Sequence, residues 1–488
     1  MTFNIRLMAK TVSLIIALEG LAMLPSIICA AVFGETRVLI TFAVVSAFCI
    51  AAGAWLYSNM RKYTIKIKTR EGYFVVLLCW ATVILVGFMP YYFSGCGYSA
   101  VNCLFESVAS WTTSSAWVLD TSAMPASLLL WKAVSNFLGG IGIVVLAVSV
   151  LPVLGVQGQK MASAEVTGPE LEKLTARMSD TTRVFCGIYV CLAAVEFLLL
   201  VIGRIPVFSA IINTMSTVST AGIIDYQNSV SGEYSIYIKG VLMVFSILGS
   251  MNCVMFVLMA RRRFREVARN IELRFFLAVI LVAGILCGTV LTFSGTYDNP
   301  ADAFVNAFEE VVSFGSTSGF TVDTDINAWP SACQLILIIM MTIGGCANST
   351  SGGLKAIRAI VMLKLAGRGV YKRIHPRAMK PVMIRNTPVS AENASSISTF
   401  IMLFFCVYLF SCVVFSIENV DMLTTLTAPM ALFTNTGTGF GLVSGGCYAD
   451  FSVFARLYGA LLMLAGRLEM YAILIMFSRS FWNSDKVK

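Results

Sequence analysis

Apolar residues gather into ten runs of membrane-crossing length, at about 20 residues each: 14–33, 38–57, 74–93, 128–151, 184–202, 236–260, 275–293, 332–365, 397–417 and 454–477. Between full runs lie four apolar stretches too short to cross, near 100–110, 208–218, 301–312 and 422–433. Each short stretch leads into a segment rich in Ser and Thr: Thr112-Thr113-Ser114-Ser115, Val218-Ser219-Thr220-Ala221-Gly222, Gly315-Ser316-Thr317-Ser318-Gly319 and Thr434-Asn435-Thr436-Gly437. The last residues, Ser115, Gly222, Gly319 and Gly437, lie 107, 97 and 118 positions apart, a spacing that holds one structural unit each time. Nine positions before them stand Glu106, Asn213, Glu310 and Ala428, polar in three units out of four.

The pattern predicts an all-α integral membrane protein. It begins with a two-helix hairpin and linker over 1–70. Four membrane-helix, pore-helix, membrane-helix units follow over 71–156, 157–263, 264–385 and 386–488, arranged with pseudo-fourfold symmetry around one cation pore. The eighth run, 34 residues long, is broken by Gly344–Gly353, which carries four glycines and three hydroxyl residues in ten positions, so helix cannot persist there.

Composition agrees: 58% of residues are hydrophobic and 12% charged, far from the roughly 25% charged of a soluble domain. Arg6 and Lys10 before the first run raise a cleaved signal peptide as an alternative. Glu19 inside that run and the second run close behind fit a hairpin better.

Positive charge falls on alternate loops. One group is Arg61, Lys62, Lys66, Lys68 and Arg70; a second is Lys160, Lys173, Arg177 and Arg183; a third is Arg261, Arg262, Arg263, Arg265, Arg269 and Arg274; the loop 364–385 is the fourth. By the positive-inside rule these loops and both termini face the cytoplasm, so topology accounts for the net charge of +9 without nucleic acid. The opposite side carries Asp225, Glu233, Asp298, Asp302, Asp323, Asp325, Asp421 and Asp450, either a cation-concentrating mouth or an ordinary solvated surface.

The repeated segments suit a dehydrated cation, which must exchange its water shell for protein oxygens. Glycine lets successive carbonyls turn the same way, and Ser and Thr hydroxyls add oxygens or fix the loop. Short helices ending at the axis present their partly negative ends to it. Irregular backbone at membrane depth survives only when it is buried or lines a cavity, a condition met by four loops around one axis. The expected ion-binding set is Thr113, Ser114 and Ser115; Thr220, Ala221 and Gly222; Thr317, Ser318 and Gly319; Asn435, Thr436 and Gly437.

Arg467 lies about 17 Å from either charged flank of the last run, where a guanidinium must face water or a partner. Fourteen cysteines show neither CxxC pairs nor a His/Cys cluster, so no metal site is indicated; a Cys96–Cys103 bridge stays open. His375 is read as an exposed loop residue. Gly139-Gly140-Ile141-Gly142 lies inside an apolar run with no strand before it, which favours helix packing over dinucleotide binding. Nothing resembles a catalytic cluster, so an enzyme is not expected, and no cofactor is expected in this chain.

Nearly the whole chain resembles the TrkH/KtrB/HKT superfamily of potassium and sodium transporters. Besides the four segments, the resemblance covers Asn136-Phe137-Leu138-Gly139-Gly140-Ile141-Gly142, Gly168-Pro169 with Lys173-Leu174-Thr175, the stretch Gly344–Gly353, and Gly466-Arg467-Leu468-Glu469. The N-terminal hairpin is similar to the TrkH branch. The resemblance implies potassium uptake across a bacterial inner membrane. The residues Gly344, Gly345, Asn348, Ser349, Thr350, Gly352 and Gly353 would form an intramembrane gating loop, with Arg467 projecting into the pore below the filter. It also implies a homodimer and a cytosolic ring of nucleotide-binding, TrkA-like regulatory subunits docked on the basic loops.

Asn348 and Ser351 depart from the usual glycines of that loop. Ser115 stands where potassium-selective members carry glycine, and Ala221 where a paired glycine is usual. Ser115 makes a sodium-permeable or weakly selective cation pathway an alternative, because serine at that position goes with sodium preference in plant members. A second alternative is an alternating-access cation symporter using a buried acid such as Glu19 or Glu196.

Overall fold

The computed structural model describes residues 5–60, 69–142, 178–222, 235–321, 325–377, 381–384, 387–468 and 470. The expected basic loops at 61–68 and 160–177, the acids Asp225, Glu233 and Asp323, the Gly168-Pro169 segment, Glu469 and the chain after 470 lie outside them.

The described residues are helical except for connections and a two-stranded pairing of Met383–Ile384 with Thr387–Pro388. Six helices are long and apolar enough to cross a membrane: Met8–Val32, Thr36–Met60, Phe74–Phe93, Val184–Ile202, Ile271–Phe293 and Ala391–Glu418. They expose large apolar side chains such as Ile40, Phe48, Leu198, Phe293 and Phe410 on their outer faces, as spans in contact with lipid require.

The first run does pack as a hairpin. Gly53 lies so close to the first helix that an added Cβ would sit 2.7 Å from the backbone of Ala17 and of Ser13. Ser46 donates to the Gly20 carbonyl at 2.7 Å. The hairpin is fastened to the rest through Glu35, whose carboxylate accepts from Ala126 N at 2.7 Å and Ser127 N at 3.2 Å. It thereby satisfies orphan amides at the start of the helix spanning at least 126–142.

The four short apolar stretches form the half-span helices Ala100–Trp111, Val207–Val218, Pro300–Gly315 and Met422–Phe433, of 12, 12, 16 and 12 residues. At about 1.5 Å per residue the 12-residue helices cover about 18 Å, well short of a bilayer core of about 30 Å. Three of the four starts carry a side-chain cap: Ser99 accepts from Asn102 N, Asn299 precedes Pro300 and accepts from Ala301 N, and Asp421 accepts from Thr424 N.

Two expected spans are corrected: the run 454–477 is helical only over Val453–Arg467 among the described residues, with Leu468 at its C-cap, and a second run bends sharply. The run 236–260 is not one helix but two, Ile236–Gly249 and Cys253–Ala260, bent by 97°. The break falls at Ser250-Met251-Asn252. Asn252 caps the second piece by accepting from Val254 N at 3.0 Å, and the Ser250 carbonyl, released from helical bonding, accepts from Cys346 N at 2.9 Å. The 332–365 run is broken as expected, into Ser331–Ile343 and Ala356–Ile374.

Candidate ion pathway

Each half-helix ends on a hydroxyl residue, Thr112, Ser219, Ser316 or Thr434. The next residue in every case turns left-handed: Thr113, Thr220 and Thr317 at φ 56°, Asn435 at φ 57°. In the first three units the two amides that follow bond back to the helix in the same pattern. Thr113 N donates to Ser110 O and Ser114 N to Ala109 O; Thr220 N to Thr217 O and Ala221 N to Ser216 O; Thr317 N to Phe314 O and Ser318 N to Ser313 O. This is a Schellman ending in which threonine occupies the position usually given to glycine. A β-branched residue there is a true outlier and costs on the order of 1 kcal/mol or more, so the surroundings must hold each of these threonines in place.

The segments beyond these turns converge. Gly222, Gly319 and Gly437 also have positive φ, at 64°, 68° and 79°. An added Cβ on Gly222 would overlap the carbonyl of Ser318, and one on Gly319 the carbonyl of Thr436. Gly222 and Gly319 therefore each face the carbonyl that precedes the next unit's glycine, while Gly437 faces Ala116 N and Ser115 Oγ.

Ser115 breaks the pattern. It lacks the left-handed φ of its three counterparts, and its hydroxyl donates to Thr436 O at 2.5 Å while lying 3.1 Å from Thr438 Oγ1. Thr438 Oγ1 in turn donates to Gly319 O at 2.6 Å. One hydroxyl thus links the first, third and fourth units.

The segment 344–355 packs against the half-helix ends. Gly352 N donates to Thr317 Oγ1 at 2.7 Å, and an added Cβ on Gly352 would overlap Thr434 O. Thr350 Oγ1 lies 3.3 Å from Val218 O, 3.1 Å from Gly249 O and 3.3 Å from Thr220 Oγ1. Within the segment Gly345 N donates to Ser351 Oγ at 3.1 Å, and Ser349 Oγ to Cys346 O at 2.6 Å. Glu272 accepts from Ala347 N at 2.6 Å, and Asn348 O accepts from Cys253 N at 3.2 Å. Lys355 Nζ donates to Ser351 O.

Arg467, buried, reaches the same place: its guanidinium donates to Thr350 O and, at 3.1 Å, to Gly139 O. Gly139, Gly249 and Gly466 each press against the last carbonyl of a half-helix, those of Trp111, Val218 and Phe433. Helix packing, as expected from the glycines at 139–142, is what the first of them does.

Other expected residues lie elsewhere. Glu19 is buried within the hairpin, and Glu196 is buried on the helix Met178–Ile202 beside Thr217. Cys96 and Cys103 are free thiols, the first exposed and the second buried, so the open alternative of a bridge is not realised. Asp298, Asp302, Asp325, Asp421 and Asp450 are exposed. Some of these acids have structural work: burial raises the Asp421 carboxyl somewhat, but hydrogen bonds from Thr424 hold it below its ordinary value.

The TrkH family profile, described as cation transport protein, matches residues 39–486. The chain belongs to the TrkH family. It is 30% identical over 488 residues to the Trk system potassium uptake protein TrkG of Escherichia coli, covering 99% of this chain and 100% of that one. It is 31% identical over 438 residues to the Trk system potassium uptake protein TrkH of Salmonella typhimurium, covering 89% and 90%. The crystal structure of the potassium transporter TrkH from Vibrio parahaemolyticus superposes with a TM-score of 0.87 at 26% identity, over 98% of this chain and 100% of that one. This TrkH-family chain is therefore a multi-pass membrane protein of a transporter family, not of an enzyme class.

Several residues around the TrkH-family site were not singled out by the sequence pattern. Lys132 pairs with Glu106, both fully buried. Lys239, 107 positions after Lys132, pairs with Glu309 at 3.1 Å and donates to Asn306 at 3.3 Å. The signal available was the cost of a lysine inside an apolar run, and the spacing of 107 equals that from Ser115 to Gly222. Thr438 lies one residue past the fourth signature segment, outside the matched positions.

Proposed function

We propose that this chain is the membrane subunit of a Trk-type potassium uptake system in a bacterial inner membrane, with both termini cytoplasmic. Potassium passes between the segments 113–115, 220–222, 317–319 and 435–437 and is the transported ion; the chain itself holds no cofactor. The observation that carries this reading is the fourfold left-handed turn at Thr113, Thr220, Thr317 and Asn435 together with the packing of glycine against a neighbouring unit's carbonyl. Strain repeated at equivalent positions is what a preorganised site accumulates. The relatives' names supply the ion.

The segment 344–353 acts as the gate, held closed by bonds to the half-helix ends and by Arg467. The arginine's charge also raises an electrostatic barrier to a resident cation. The basic stretch from Arg261 to Arg274 is the docking side for a nucleotide-binding regulatory ring, and the working unit is a homodimer in lipid.

A specific observation favours a second reading, weak selectivity with sodium permeation. The Ser115 hydroxyl already occupies the Thr436 carbonyl, leaving that oxygen less able to replace a potassium ion's water. Isotopic uptake of potassium and of sodium into proteoliposomes decides between the two. Potassium uptake that resists excess sodium supports the first reading, comparable uptake of both ions supports the second, and no cation uptake contradicts both.

A further inference from the structure

We propose that the Glu106–Lys132 pair is the positioning device that sets the ion preference of the first unit, whose signature ends in Ser115. This deepens the proposed function and rests on it.

Glu106 and Lys132 are 0% exposed. One carboxylate oxygen of Glu106 takes the Lys132 ammonium. The other accepts from Val118 N at 3.1 Å and Leu119 N at 3.3 Å. A single carboxylate thus joins three things: the first half-helix, the helix spanning at least 126–142, and the backbone three and four residues beyond Ser115. The segment between is held from its other side as well, since Trp117 N donates to Gly446 O and Tyr448 N to Trp117 O, both at 2.8 Å. Trp117 Nε1 adds a bond to Gly445 O at 2.7 Å.

Charge decides why a lysine is needed. A carboxylate buried away from water stays ionised only with a partner, and an ionised carboxylate bonds backbone amides more strongly than a neutral one. Lys132 therefore acts through Glu106, and Glu106 through the amides of Val118 and Leu119, on the placement of Ser115. Neither side chain needs to touch the ion. Moving Ser115 reaches the ion path because its hydroxyl engages Thr436 O at 2.5 Å, an oxygen that is freed when that bond is lost.

The test is the ratio of potassium to sodium uptake by the full chain in proteoliposomes, for wild type, Lys132→Met, Glu106→Gln and the double variant. The ratio is the informative readout because loss of folded protein scales both fluxes equally. Each single variant is expected to raise the ratio by about threefold or more, in the direction that freeing Thr436 O predicts, and the double variant to raise it no further, since either change removes the same tie. Glu106→Gln keeps the shape and one acceptor, so it carries the test if Lys132→Met does not fold. Unchanged or lowered ratios in variants that transport, or additive shifts in the double variant, overturn the proposal. A wild type that takes up no cation overturns the proposed function itself.

Discussion

The Ser115 hydroxyl donates to the carbonyl of Thr436, 321 positions along the chain, at 2.5 Å. No local geometry creates this bond; it exists because the first and fourth segments meet. The Thr436 carbonyl is also the one that Gly319 faces. Serine in place of glycine thus alters a contact shared by three units.

Ser115→Gly removes that hydroxyl. A hydrogen bond of this kind is worth about 0.5–1.5 kcal/mol net, so freeing the Thr436 oxygen should raise the potassium-to-sodium uptake ratio by a factor of about 2 to 10. Paired isotope uptake on equal amounts of purified protein measures it. A ratio that falls instead would show that the hydroxyl supports potassium selectivity.

Thr438→Val keeps the shape and removes the donor to Gly319 O and the partner of Ser115 Oγ. A shift in the uptake ratio in the same direction as Ser115→Gly is expected. Combined with Ser115→Gly, the two should be non-additive, since bonded neighbours couple.

The segment 344–355 is held by amides with single acceptors. Thr317→Val deprives Gly352 N of its acceptor, and Glu272→Gln weakens the bond from Ala347 N. An orphaned buried amide costs about 1–3 kcal/mol. If that cost falls on the closed arrangement, unregulated cation leak should rise about tenfold, read as dye-reported flux without any regulatory partner. Unchanged leak in both variants would contradict a gating role for the segment.

Arg467→Lys is expected to behave like Arg467→Ala. The guanidinium reaches two separate carbonyls, Thr350 O and Gly139 O, and a lysine amine is a point donor without that fork. Both variants should raise conductance in single-channel recording if the forked hold on these two carbonyls, and not the charge alone, forms the barrier. Full retention of wild-type conductance by the lysine variant would mean that charge alone matters there.

Much of the architecture was legible because hydrophobicity and spacing are direct consequences of the bilayer. Runs of about 20 apolar residues are long enough to cross a bilayer core, and the matched positions of four Ser/Thr-rich segments mark four turns. The glycines of 344–353 announced a break for the same reason. The break at Ser250-Met251-Asn252 was hidden inside an unbroken apolar run. Its cause, the approach of Cys346 to the Ser250 carbonyl, depends on residues nearly a hundred positions away, although Gly249-Ser250 and the capping Asn252 were in view. Lys132 was equally visible as a charge inside an apolar run, but its partner, Glu106, lies on another helix. The register of Ser115 could be counted; its bond to Thr436 could not.

Gly319→Ala tests most directly whether the four segments form one cation path. The substitution places a methyl against the Thr436 carbonyl at a left-handed φ, while Gly187→Ala, with open space around it, serves as the control. The measurement is growth of a potassium-uptake-deficient bacterium at low potassium, with membrane protein levels matched. Rescue by wild type and Gly187→Ala, with loss of rescue by Gly319→Ala, is the predicted result. Undiminished rescue by Gly319→Ala would contradict a path between these segments.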